Sequence, residues 1–271
     1  MRIFTPLLLL MLLTACAHRN EPREMTERRH YKEANKLLEK KNYLSAIDEL
    51  EELEARFPYG DYTEQTQLDL IYARFKGLDY AAAVAQADRF VRTYPAHEHL
   101  DYALYMKGLA NYYLDLDIFD RLSKTDKSAR DLSAMRDAFQ DFTQLISRFP
   151  DSPYAADARQ RMVHIRNLLA DQELHAARYY ARRRAFIAAA NRAQFVIRHF
   201  QQTPAVPEAL AILSKSYEEL DQPELAAKSR RVLQTNWQDS AFVGNEGSVT
   251  LAWWPSAERR WLSLITFDLL K

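Results

Sequence analysis

His97-Glu98-His99 crowds two imidazoles and a carboxylate into three residues, the donor set of a zinc site. The spacing defeats that chemistry. Residues i and i+2 do not share a helix face, the trio follows a break at Pro95, and no third ligand stands nearby. A loop or helix-cap role is expected there. Asp115, Asp117 and Asp120 open like a calcium loop but lack its glycine and closing glutamate, so they read as an acidic, solvated insertion. Asp48, Glu49, Glu51, Glu52 and Glu54 interleave with Leu50 and Leu53, which makes them the outer face of a helix. Phosphate-cradling loops of the G-x-G-x-x-G or G-x-x-x-x-G-K-[ST] kind are absent, as is a G-x-S-x-G elbow. The chain has only five glycines from which to build any of them. Neither an enzyme nor a resident cofactor or metal is expected.

The single cysteine, Cys16, has a different chemistry available. Arg2 and the apolar run Leu7–Leu13 form a secretory leader, too short for a permanent span, which needs ~20 apolar residues. The run ends in Leu13-Thr14-Ala15-Cys16, which resembles a bacterial lipobox. In that class the thiol receives diacylglycerol, the leader (1–15) is cut away, and the new amino group is acylated. At ~0.8 kcal/mol per buried CH₂, several chains anchor a protein permanently where one does not. Ala17 is not the aspartate that commonly retains such lipoproteins at the inner membrane, so the outer membrane is expected. Residues 16–26 are polar, contain Pro22 and read as a flexible tether.

Beyond the tether the elements are helical and repeated. One frame recurs five times: a large residue at i, Ala at i+3, an apolar residue at i+10 and an aromatic at i+14. The copies run Tyr43, Ala46, Leu53, Phe57; Tyr80, Ala83, Phe90, Tyr94; Met135, Ala138, Leu145, Phe149; Phe186, Ala189, Val196, Phe200; and a degenerate Pro223, Ala226, Leu233, Trp237. Proline follows the aromatic in the first three, at Pro58, Pro95 and Pro150, whereas Gln201 and Gln238 follow it in the others. With Leu50, Ala87, Phe142 and Ala193 at offset 7, these positions define one helix face. Each copy is preceded by another helical stretch: Tyr31–Lys40, Glu64–Lys76, Leu100–Tyr113, Ala155–Tyr180 and Pro207–Leu220. The unit is a helix-turn-helix resembling a tetratricopeptide repeat, and the expected fold is an all-α solenoid of about five repeats. The expected organisation is repeats 1–3 over 27–150 with an insertion at about 113–131, repeats 4–5 over 151–240, and a tail over 241–271. In that tail a turn at 244–247 and an aromatic knot at Trp253-Trp254-Pro255 precede a short amphipathic helix at 256–270. It could cap the last repeat, dock a partner or touch a membrane interface.

Composition supports an ordered binding protein. The chain is 48% hydrophobic and 12% aromatic, which excludes disorder, and its 37 basic and 37 acidic residues leave no global field for nucleic acid. Two surfaces are candidates for protein binding. Tyr59, Tyr62, Tyr72, Phe75, Tyr102, Tyr105, Tyr112 and Tyr113 fall mostly on the first helices of repeats two and three, the helices that line the concave side of such solenoids. Packing between repeats is the competing role for about half of them. Arg178, Arg182, Arg183, Arg184, Arg192 and Arg198 form a basic group around repeat four. Arg182–Arg184 most simply make a solvated turn, whereas Arg192 stands beside the packed face, where its fork could meet a partner carboxylate.

A lipobox followed by five such repeats resembles the BamD (ComL) family, lipoproteins of the outer-membrane β-barrel assembly (BAM) machinery. The resemblance is carried by Arg56-Phe57-Pro58-Tyr59-Gly60, by the run from Glu64 to Tyr72 and by the run from Tyr102 to Ala110. Arg148-Phe149-Pro150-Asp151-Ser152, the run from Ala156 to Met162, Asn191-Arg192-Ala193 and the insertion from Asp120 to Asp131 carry the rest. It covers about 16–240. The resemblance implies residence at the periplasmic face of the outer membrane, through a lipid anchor on Cys16. It implies that the C-terminal repeats dock on a POTRA domain of the barrel protein BamA, beside other BAM lipoproteins, with Arg192 and Arg198 as candidate contacts. It implies that Tyr62, Tyr72, Phe75, Tyr102 and Tyr105 receive the targeting strand of unfolded outer-membrane proteins. A lipid-anchored scaffold for peptidoglycan proteins is the alternative.

Overall fold

The computed structural model describes residues 26–114 and 131–255. The leader, Cys16, most of the tether, the insertion from 115 to 130 and the tail helix expected over 256–270 lie outside the described residues. Contacts divide the chain into two compact units, Met1–Pro95 and Ala96–Lys271. The first contains α1 (Glu27–Glu39), α2 (Tyr43–Arg56), α3 (Thr63–Lys76) and α4 (Tyr80–Thr93). The second contains α5 (Leu100–Leu114), α6 (Ser133–Arg148), α7 (Ala155–Arg182), α8 (Phe186–His199), α9 (Val206–Glu219) and α10 (Pro223–Asn236). Within each unit every helix packs on the next, and α7 also touches α9. The chain is all-α and built of tetratricopeptide-like helix pairs, as the repeat frame predicts. None of the described helices, even the 28-residue α7, is long and apolar enough to cross a membrane.

The frame explains how the pairs close. All five alanines at offset 3 (Ala46, Ala83, Ala138, Ala189 and Ala226) are wholly buried. A methyl group there lets a neighbouring helix approach closely without a cavity. The residues at offset 10 are equally inaccessible, and each accepts the backbone N–H of the aromatic at offset 14. Phe57 bonds to Leu53, Tyr94 to Phe90, Phe149 to Leu145, Phe200 to Val196 and Trp237 to Leu233, over 2.8–2.9 Å. In all five cases that aromatic is the C-cap, with φ between −123° and −141°. The helix therefore ends at the aromatic whether or not a proline follows it.

The turn inside a repeat has its own signature. Lys41, Leu78, Arg184 and Asp221 adopt positive φ of 56–66°, each two residues before the start of a second helix. The following backbone bonds are those of a Schellman stop: Leu78 N–H to Phe75 and Asp79 N–H to Arg74, with equivalents at the other three turns. A non-glycine residue pays about 1–2 kcal/mol for this conformation. The scarcity of glycine thus does not prevent tight turns. Asn42 and Asp79 then cap α2 and α4 by accepting from Ser45 and Ala82.

The described part of the tail folds back on the second unit. Val243 and Val249 pair as an antiparallel bridge around a 3₁₀ turn at Asn245–Gly247, where Gly247 takes a φ of 74° that favours glycine. Val249 and Leu251 are buried in the cluster that also contains Ala189, Val196, Leu210 and Leu233. Trp254 stacks on Phe186 with ring centroids 5.7 Å apart, and Arg182 lies over Trp253. Burying two aliphatic side chains is worth roughly 1.5–3 kcal/mol each, so residues 241–255 act as a cap on the last repeats.

Candidate functional site

The predicted aromatic residues gather into local clusters within each unit. In the first, Tyr62 is the N-cap of α3 and stacks on Tyr31 of α1 at 4.4 Å, while its backbone N–H donates to Glu27 over 2.9 Å. Asp69, further along α3, bonds Gln65 and Tyr31; burial holds its pKa above the usual carboxylate range against those bonds. Tyr72 meets Tyr43 edge-on at 6.2 Å and remains exposed, whereas Phe75 is half-buried against Tyr80 at 5.5 Å. Tyr59, in the turn after α2, is 99% exposed. Tyr72 and Tyr59 therefore present accessible rings, and Phe75 contributes mainly to packing.

In the second unit Tyr102 and Tyr105, one turn apart on α5, both reach Tyr154, the N-cap of α7. Tyr105 stacks on it at 4.7 Å and 17°, and donates its hydroxyl to Asp157 over 2.8 Å. Arg161, one turn further along α7, donates to the same carboxylate oxygen over 2.6 Å and lies over the rings of Tyr112 and Tyr113 at 5.0 and 5.7 Å. Burial, then the neighbouring Asp157, pushes the Tyr105 phenol up to about 12. Burial works against ionised Asp157, but Arg161 and Tyr105 outweigh it and hold that carboxyl below the usual range. The cluster is an amphipathic platform, with stacked ring faces beside a fixed ion pair. It can hold an extended peptide through apolar contact and hydrogen bonds, and it has no nucleophile poised against a base.

The basic candidates separate. Arg178 grips Glu208 of α9 with two 2.6 Å bonds and so ties α7 to α9. Arg192 on α8 pairs with Glu173 of α7 over 2.9 Å, and that bond raises its pKa; its side chain remains half exposed. Arg198 is exposed and bonds the neutral amide of Gln194 at 2.8 Å. Arg183 lies over Tyr179, and Arg184 is the positive-φ residue of the turn, as a solvated turn requires.

For metals, His97 and His99 sit in the loop before α5, where His97 Nδ1 accepts the backbone N–H of His99 over 2.9 Å. Among the described residues, His30, Glu49 and Glu52 bring three donor atoms within 4.8 Å of one another. His30 Nδ1 already meets Glu49 at 2.5 Å and Glu52 is paired with Arg56 at 2.6 Å, while the buried His30 Nε2 has no hydrogen-bond partner among the described residues.

A family model described as YfiO, outer membrane lipoprotein, matches residues 23–233. The chain belongs to the BamD family. A protein of Neisseria meningitidis serogroup B named outer membrane protein assembly factor BamD is 45% identical over 225 residues, covering 83% of this chain and 84% of that one. BamD of Neisseria gonorrhoeae is 44% identical over 231 residues, with coverage of 85% and 84%. BamD of Xylella fastidiosa strain 9a5c is 38% identical over 236 residues, with coverage of 86% and 81%. The sequence pattern alone did not single out three further residues of the second cluster. Tyr154, Asp157 and Arg161 complete the platform around Tyr105. Their only local signal is the i, i+4 spacing of Asp157 and Arg161 on one helix face.

Proposed function

We propose that this chain is a lipid-anchored adaptor of outer-membrane β-barrel assembly and not an enzyme. Cys16, carrying N-acyl and S-diacylglycerol groups, would hold it at the periplasmic face of the outer membrane. The aromatic residues of repeats 1–3 would receive unfolded outer-membrane proteins, and repeats 4–5, over 151–240, would dock on the POTRA region of BamA and on other BAM lipoproteins. The observation that carries this reading is the match of more than four-fifths of the chain to relatives named outer membrane protein assembly factor BamD. The exposed rings of Tyr59 and Tyr72 support it, since tyrosine binds extended chains through ring and hydroxyl together.

Crosslinking of the intact, membrane-anchored protein followed by mass identification of its partners tests the proposal. Recovery of BamA is the expected result; recovery of cell-wall enzymes without it overturns the proposal. Arg192→Glu should release that partner while helicity stays unchanged. Tyr62→Ala combined with Tyr105→Ala should weaken crosslinking to an aromatic targeting peptide roughly tenfold, about 1.4 kcal/mol. Because Tyr105 also bonds Asp157, Tyr105→Phe serves as the folded control that keeps the ring.

A further inference from the structure

Gln201 replaces the proline that follows the aromatic in the first three repeats, and it lines a solvent-open cleft of about 550 Å³ in the second unit. Phe139 of α6, Leu169 of α7 and Phe200 after α8 form its apolar lining, and Arg166 and Arg198 contribute guanidinium groups. Arg166 lies over the Phe139 ring at 5.9 Å, which covers one face of the guanidinium and leaves its N–H edge for another group. Neither arginine forms an ion pair among the described residues, and no carboxylate lines the cleft. Of the other arginines of these two helices, Arg161, Arg178 and Arg192 are matched by Asp157, Glu208 and Glu173, whereas Arg159 bonds the Pro150 carbonyl and Arg182 lies over Trp253. A volume of this size lies within the usual range of ligand sites, and two unmatched forks over an aromatic lining define its complement.

We infer that this cleft receives an acidic segment of a partner protein in which carboxylates flank an aromatic side chain. The ring packs on Phe139 and Phe200, while the carboxylates take the two guanidinium forks, bidentate where geometry allows. Two cations call for two carboxylates, so the occupant is a segment running through the cleft rather than a chain end with its single terminal charge. The inference rests on the adaptor reading only in taking a protein as the occupant.

Fluorescence anisotropy with the full chain tests it, using fluorescein-labelled Gly-Glu-Phe-Glu-Gly and its counterpart with glutamine at both glutamate positions. The acidic peptide should bind at least tenfold more tightly, and Arg166→Gln with Arg198→Gln should abolish that preference. Arg183→Gln with Arg231→Gln removes the same charge elsewhere and should leave the preference intact. Equal binding of the two peptides, a preference that survives the cleft variant or one lost in the control variant would each overturn the inference. Tighter binding of Gly-Gln-Gln-Gly-Phe through its free carboxylate would overturn it in favour of a chain end. Peptide selectivity without recovery of BamA would keep the cleft and reject the adaptor reading; recovery of BamA with no selectivity would do the reverse.

Discussion

Tyr105 on α5 donates its hydroxyl hydrogen to Asp157 on α7 across 2.8 Å, so a single bond joins a stacked aromatic platform to an ion pair. The phenol titrates at about 12 when folded and near 10 in an unfolded chain. Its pKa is raised on folding, so its contribution to stability is fully present below about pH 10 and is lost as pH rises towards 12. Tyr105→Phe should remove that alkaline component and cost about 0.5–1.5 kcal/mol at neutral pH, measured by urea denaturation. Asp157→Ala should cost more, because Tyr105 and Arg161 both lose the carboxylate they share, and should lower the phenol's pKa in an ultraviolet titration.

Asp157 contributes with the opposite sign. Its carboxyl is held below the usual range when folded, so its stabilisation is present above about pH 4 and fades as pH falls through the folded pKa. Denaturation midpoints from pH 5 downward should fall more steeply in the parent chain than in Asp157→Asn.

At Gly108 two effects compete. Alanine is the better helix former by about 1 kcal/mol, but its Cβ would lie 2.6 Å from the ring of Phe142. Phe142 is wholly buried and cannot swing aside, and overpacking of this kind costs about 1–3 kcal/mol. Gly108→Ala should therefore be net destabilising in thermal melts; an unchanged or raised Tm would mean that α5 and α6 can separate freely.

Leu78 holds a φ of 66° with a side chain 57% exposed, so glycine there relieves backbone strain and gives up little burial. Offset by the extra freedom of the unfolded chain, about 0.4–1 kcal/mol, Leu78→Gly should be neutral to slightly stabilising. Leu78→Val should lose more than about 1 kcal/mol, since β-branching resists the left-handed conformation. The order Gly, Leu, Val in urea midpoints checks the turn.

Trp254→Ala should loosen the cap formed by the tail. The stacked pair with Phe186 is worth about 0.5–1.5 kcal/mol beyond the area it buries. Amide exchange at Gly244 and Thr250, which donate the two bridge bonds, should accelerate, while exchange in α5 should not change.

The repeat frame is legible in the sequence because its offsets sample one helix face, and every alanine at offset 3 is buried. The helix ends are legible within a few residues for the same reason, as the aromatic position is also the cap. The platform is only half legible. Tyr102 and Tyr105 stand out as aromatics on a first helix, but Asp157 lies 52 positions from Tyr105 and meets it only through packing. The Val243–Val249 pairing involves too few residues to leave a period-two pattern. The turn residues Lys41, Leu78, Arg184 and Asp221 leave no sequence signal, because the left-handed conformation there is imposed by helix packing and not announced by glycine.

The bond from each terminal aromatic back to the residue four positions earlier has an architectural consequence. Every repeat carries its own punctuation in the backbone, and the next helix begins six residues after the aromatic each time, at Thr63, Leu100, Ala155 and Val206. Consecutive copies stand 37, 51 or 55 residues apart, and four of the five second helices begin at the first residue of the frame, the third starting two residues earlier, at Ser133. Extra residues enter inside a repeat, in the segment between α5 and α6 and in the 28-residue α7, while the step from one repeat to the next keeps its length.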